Sequence, residues 1–204
     1  MTERLICLAI GYLLGCILTA DIVAKAKTGK PARKLGTGNP GMANIGALFG
    51  KKYAGIVLAG DIVKVIAAVV IARLLFPELG SLAALWAGCG TVIGHNFPFW
   101  TGFKGGKGVT VTCATMILFD PVWGVICCLI GLAVSAATKY LPIGAVMIPT
   151  TFLIPTAIFH STEALLLVVF LTAMMFLRHG KPLARALRGK ERKVDVAKNL
   201  KRKD

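Results

Sequence analysis

Apolar residues gather along this chain into seven blocks, at about 5–24, 53–76, 81–100, 109–119, 121–138, 143–159 and 163–178. Each block reads as a membrane-crossing helix, although several fall short of the roughly 20 residues that a perpendicular span needs. The fourth and fifth blocks are separated only by Asp120-Pro121. Two spans are the reading adopted there, and one bent helix is the alternative. The first block begins almost at Met1 and lacks a small-residue cleavage site followed by a polar chain. It therefore reads as a retained helix rather than a signal peptide.

The polar intervals orient these blocks. Lys and Arg crowd into 25–34 with Lys51 and Lys52, then Lys104 and Lys107, then Lys139, then the stretch from Arg178 onward. Seven spans place all four clusters on one face. The opposite connections, Pro77-Glu78-Leu79-Gly80, Asp120-Pro121 and His160-Ser161-Thr162-Glu163, contain no Lys or Arg. Basic connections mark the cytoplasmic side. The predicted fold is an all-α integral membrane protein of about seven transmembrane helices, with the N-terminus outside and the C-terminus cytoplasmic. It divides into a transmembrane domain over 1–180 and a basic cytoplasmic tail over 181–204.

Composition agrees with this reading. Of 204 residues 56% are hydrophobic, and the net charge is +15. An ordinary soluble domain is roughly 45–50% apolar and carries about 25% charged residues. The apolar runs leave no soluble domain to present a nucleic-acid surface, so nucleic acid is excluded as a partner. Anionic lipid headgroups are the expected partner of the tail. The six cysteines all lie in apolar blocks without CxxC spacing, which makes them small buried hydrophobes. No metal or cofactor is expected, since no ligand cluster appears.

Two glycine-rich loops lie on the basic side. In the first, Gly36, Gly38 and Gly41 satisfy GxGxxG, but no strand precedes them and no βαβ unit follows, so a dinucleotide fold is excluded. The glycines still let backbone amides converge and a ligand come close, and Asn39 and Asn44 add hydrogen-bonding groups. The second loop is Phe103-Lys104-Gly105-Gly106-Lys107-Gly108. A Walker loop would need a glycine where Thr101 stands and a hydroxyl residue where Gly108 stands, so nucleotide hydrolysis is not indicated. Two ammonium groups and freely turned amides, leading into an apolar helix, suit a phosphate. Inside the second block Asp61 and Lys64 sit at i and i+3 and can pair on one helix face. A buried pair of this kind is read either as a site or as a structural bridge. His95 and His179 lie at block ends. No HxxxxD dyad and no GxSxG elbow accompanies them.

Gly36–Asn44 (GTGNPGMAN), Gly60–Lys64 (GDIVK) and above all Gly94–Val109 (GHNFPFWTGFKGGKGV) resemble the bacterial acyl-phosphate:glycerol-3-phosphate acyltransferases. The resemblance extends from Tyr12–Gly15 to Arg178-His179. It implies seven transmembrane helices in a multi-pass protein of the bacterial inner or plasma membrane, with the active site on the cytoplasmic side. It implies acyl transfer from acyl phosphate to the first hydroxyl of glycerol 3-phosphate, giving lysophosphatidic acid. The family uses no His-Asp dyad, and the donor's own phosphate assists deprotonation. An acyl-phosphate-forming enzyme is a candidate partner. Carried onto this chain, Lys104, His179 and Thr37 would be catalytic. Gly36, Gly38, Asn39, Gly41, Asn44, Gly105, Gly106, Lys107 and Gly108 would bind substrate phosphate, with Asp61, Lys64 and His95 in support.

The chain departs from the family pattern in places. Thr37 stands for Ser, Ala43 for Thr, Ala47 for Arg, Val65 for Gly, Pro142 for Ser and Pro182 for Asn. The Arg missing at Ala47 removes a natural bidentate phosphate partner. Two other classes therefore stand beside the acyltransferase. One is a non-catalytic or altered-acceptor relative that binds a phosphorylated lipid precursor. The other is a small anion transporter, against which stands the gathering of basic motifs at one face rather than the midplane.

Overall fold

The structure is a computed structural model and describes residues 1–194. Nine α-helices order these residues: α1 (Thr2–Gly15), α2 (Thr19–Thr28), α3 (Met42–Phe49), α4 (Lys51–Leu75), α5 (Leu82–Asn96), α6 (Val109–Phe119), α7 (Pro121–Thr138), α8 (Leu141–Phe159) and α9 (Thr162–Leu187). Single 3-10 turns occupy Ala32–Lys34, Pro77–Leu79 and Phe99–Thr101, and no strand occurs among the described residues. Five stretches are long and apolar enough to cross a membrane: Thr2–Thr28, Lys51–Leu75, Pro121–Thr138, Leu141–Phe159 and Thr162–Leu187. At 1.5 Å per residue, α5 and α6 extend only about 22 and 16 Å, less than the roughly 30 Å hydrocarbon layer.

Several boundaries differ from the sequence reading, each for a local reason. The first apolar block is broken between α1 and α2, where Leu18 is extended. The third block stops being helical at Asn96, because Phe97 precedes Pro98 and is driven out of the helical region. The basic stretch read as a loop before Lys51 contains α3. The last helix runs on through Pro182 to Leu187. The division after Phe119 holds: the Asp120 carboxylate accepts from the Trp123 amide at 3.1 Å, and Pro121 occupies the first turn of α7. Residues 195–204, the end of the predicted tail with its expected lipid contacts, lie outside the described residues.

Among the described residues the chain forms two compact units, Met1–Thr115 and 116–194. In the first, α1 packs on α5 with nothing between the backbones. A β-carbon on Gly11 or Gly15 would run into the carbonyl oxygen of Ala87 or Thr91, and one on Gly90 or Gly94 into that of Leu8 or Tyr12. Both helices thus carry glycines four residues apart on one face, the small-residue arrangement that holds helices together in lipid. The lower flank of this unit is closed by Ala20, Ala24, Ala32, Ile45 and Val57, all essentially buried. In the second unit α8 lies between α7 and α9. Gly131 of α7 and Gly144 of α8 meet as closely as the glycines of α1 and α5, and Ser161 caps α9 by accepting from the Ala164 amide at 3.2 Å.

Candidate active site

The first glycine loop is braced from two sides. Asp21, buried on α2, accepts from the Ala32 amide and from the Arg33 guanidinium, both at 2.8 Å. The chain then reverses through Gly36 and Gly38, at φ 55° and 74°, a region that only glycine enters without strain. Asn44, buried on α3, accepts from the Thr37 amide at 2.9 Å and donates to the Leu35 carbonyl at 3.1 Å. Its carboxamide therefore shapes the loop from beneath. Thr37 is exposed at the apex, where its hydroxyl oxygen accepts a long bond from the Asn39 amide at 3.4 Å. Gly41 opens α3.

Beside this loop, α4 and α5 share a buried ionic hub. The Lys64 ammonium lies 2.8 Å from Asp61, 2.8 Å from Nδ1 of His95 and 2.9 Å from the carbonyl oxygen of Ile17. An ammonium has three protons and no acceptor, so Nδ1 of His95 carries none. Asp61, Lys64 and His95 are 3%, 5% and 4% exposed. The hub joins the end of α1 and the residues just beyond it to α4 and α5.

The FKGGKG loop sits directly on this hub. Its glycines work differently from the expected outward-turned amides. Gly105 and Gly106 donate to the carbonyls of Asn96 and His95 at 3.1 and 2.9 Å, closing the last turn of α5. A β-carbon on Gly106 would collide with Nε2 of His95, and one on Gly105 with the His95 carbonyl oxygen. Gly108, at φ 80°, lies against the Asn96 carboxamide. The glycines thus buy close approach, and the cationic groups project from the resulting shelf: Lys104 is exposed and Lys107 half-buried, immediately before α6. The Thr101 hydroxyl lies 2.9 Å from the Pro98 carbonyl oxygen and 3.2 Å from that of Lys104, which ties the shelf down.

His179 belongs to the second unit. It is buried on α9 with Nδ1 3.0 Å from the Met175 carbonyl, so Nδ1 carries a proton. Of the departures, Ala47 is exposed on α3 and Val65 is fully buried in α4. Pro142 lies in the first turn of α8, and Pro182 inside α9 cannot donate to the carbonyl four residues earlier. Sequence reading missed Asp21, whose signal was a lone carboxylate in an apolar block, and Arg33, hidden in a basic run. It also missed Asn96, whose carboxamide is buried without a hydrogen-bond partner. Among the described residues no cluster of His, Cys, Asp and Glu could hold a metal ion.

These two glycine loops, the hub beneath them and the terminal His179 fall within one span of similarity. The profile of the glycerol-3-phosphate acyltransferase family matches residues 5–189. The chain belongs to this family. Among curated glycerol-3-phosphate acyltransferases, it is 40% identical over 201 residues to one from Lactobacillus johnsonii, covering 98% of this chain and 97% of the relative. It is 34% identical to one from a Thermoanaerobacter species, over 94% and 96%. Among solved glycerol-3-phosphate acyltransferases, the crystal structure of PlsY (YgiH), an integral membrane enzyme, matches with a TM-score of 0.84 at 27% identity in its glycerol 3-phosphate form. Its lysophosphatidic acid form matches with the same TM-score at 26% identity. Both cover 98% of this chain and 99% of the solved one.

Proposed function

We propose that this chain transfers an acyl group from acyl phosphate to the first hydroxyl of glycerol 3-phosphate, on the cytoplasmic face of a bacterial membrane. The end-to-end match to glycerol-3-phosphate acyltransferases carries the reading. The hydroxyl oxygen attacks the acyl carbonyl, an ester bond forms, the mixed-anhydride bond breaks, and inorganic phosphate leaves with the hydroxyl proton. No protein base is needed, because the departing phosphate takes the proton. Lys104, exposed on a shelf that the hub makes rigid, stabilises the phosphate charge. Thr37 offers a hydroxyl at the apex of the other loop, and His179 orients substrate. Seven crossings, with α5 and α6 as short ones, place all four basic clusters on the cytoplasmic side and the N-terminus outside.

Purified protein in detergent should make lysophosphatidic acid from palmitoyl phosphate and glycerol 3-phosphate, and Lys104→Ala should lower kcat/KM by about 100-fold. No product above background would overturn the reading. A second reading, a relative that binds a phosphorylated lipid precursor without turnover, is favoured by the missing guanidinium at Ala47. It predicts retained glycerol 3-phosphate binding without product.

A further inference from the structure

Between the end of α5 and Lys104 the first unit leaves a patch of large aromatic side chains uncovered. Phe99, Trp100 and Phe103 are 48%, 53% and 59% exposed. The Phe99 ring stands edge-on to Trp100, with centroids 4.5 Å apart, and lies 6.4 Å from the Tyr12 ring of α1. Phe103 holds φ at 60°, in the left-handed region that strains a residue with a side chain. The turn that displays these rings satisfies much of its own backbone. The amides of Thr101 and Phe103 donate to the Pro98 carbonyl, that of Gly102 to Phe99, and those of Gly105 and Gly106 to the end of α5. The Tyr12 hydroxyl donates to the Phe97 carbonyl at 3.1 Å. Irregular backbone closed on itself in this way suits surroundings poor in water.

The length of α5 identifies what covers the patch. This helix extends about 22 Å against a hydrocarbon layer of roughly 30 Å. Before its start Glu78 is exposed and holds that end at the aqueous surface. The shortfall therefore falls at the Asn96 end, where the chain is still at lipid depth when the helix stops. Just beyond the rings come Lys104, exposed, and Lys107, half-buried. Aromatic rings bordered by ammonium groups match the boundary between acyl chains and anionic headgroups. We infer that the Phe99–Phe103 turn is seated in this boundary, as an aromatic anchor that sets the depth of the Lys104 loop in the bilayer. The bilayer offsets the strain at Phe103 by taking up a ring that the protein leaves exposed. Such an anchor is independent of the reaction that the loop serves.

The test is tryptophan fluorescence of the full-length protein in vesicles of phosphatidylcholine and phosphatidylglycerol. In Trp86→Phe/Trp123→Phe the only tryptophan is Trp100. Lipid brominated near the headgroup should quench it at least twofold more than lipid brominated near the chain end. Aqueous iodide should quench it at least threefold less than it quenches free tryptophan. Trp100→Phe, which keeps Trp86 and Trp123, should lose the same headgroup-proximal component relative to wild type, so the result does not hang on one variant. Phe99→Ser/Phe103→Ser should raise iodide quenching of Trp100 at least threefold. In vesicles it should also speed hydrogen exchange of the Thr101–Gly106 amides at least fivefold. Iodide quenching equal to that of free tryptophan would place the turn in water and overturn the inference. Stronger quenching from the chain end would place it in the hydrocarbon interior, and unchanged exchange in the double serine variant would mean that the protein alone fixes the loop. Either result overturns the inference as well.

Discussion

The Lys64 ammonium meets three groups within 2.9 Å: the Asp61 carboxylate on α4, Nδ1 of His95 on α5 and the Ile17 carbonyl just beyond α1. The i, i+3 spacing made the Asp61 contact legible, because both residues lie on one helix. His95 and the Ile17 carbonyl were not legible as partners, since 31 and 47 residues separate them from Lys64. Lys64→Met should cost about 3–5 kcal/mol, because it leaves the Asp61 carboxylate buried without compensation. The double variant Asp61→Leu/Lys64→Met should cost markedly less, which thermal unfolding in detergent would measure. Gly106→Ala tests the same hub from above. Its new methyl needs the place of the His95 ring, so it should destabilise by about 1–3 kcal/mol and lower kcat/KM, with Gly102→Ala as the comparison. No heavy atom stands within 4 Å of a β-carbon at Gly102, whose φ of 64° adds only local strain. Composition revealed that these glycines mattered. It could not reveal that two of their amides answer α5 rather than a ligand, because that pairing depends on where the chain returns.

At the scale of elements, α6 and α7 fall on the blocks read from the sequence, 109–119 and 121–138, since a capping aspartate and a first-turn proline mark their junction locally. The helix α3 was not legible. Its eight residues follow a run of glycine, asparagine and proline that looks like turn chemistry throughout, and it is held mainly by packing of Ile45 and by Asn44. The contact of α1 with α5 was half legible, since glycines at 11, 15, 90 and 94 are visible but their mutual facing is not. Gly94→Leu should separate these helices, because its side chain would meet the Tyr12 carbonyl and no rotamer avoids backbone. The expected readout is a loss of about 3 kcal/mol or more in resistance to denaturant, together with faster trypsin cleavage. Leucine at Gly55, which has no heavy atom within 4 Å of a β-carbon, should be neutral by the same measures.

For the molecule as a whole, the charge pattern predicts a membrane topology independently of packing, because basic residues favour the cytoplasmic side, and that topology calls for its own test. A single cysteine at Lys104 in a cysteine-free background should react with an impermeant maleimide only after the membrane is opened. One at Glu78 should react in intact cells. Reversal of that result would overturn the orientation. The glycine faces of α1 and α5 bear on this larger scale too. With two glycines spaced by four on each helix, a slide of four residues, about 6 Å, would leave only one glycine pair in register. Intermediate positions drive α-carbons into carbonyls. The pair therefore acts as a vernier with one readable setting. The chain leaves α1 toward Ile17, whose carbonyl meets Lys64, and it leaves α5 toward Lys104, so the spacing of these two exits is set by four glycines at the helix contact.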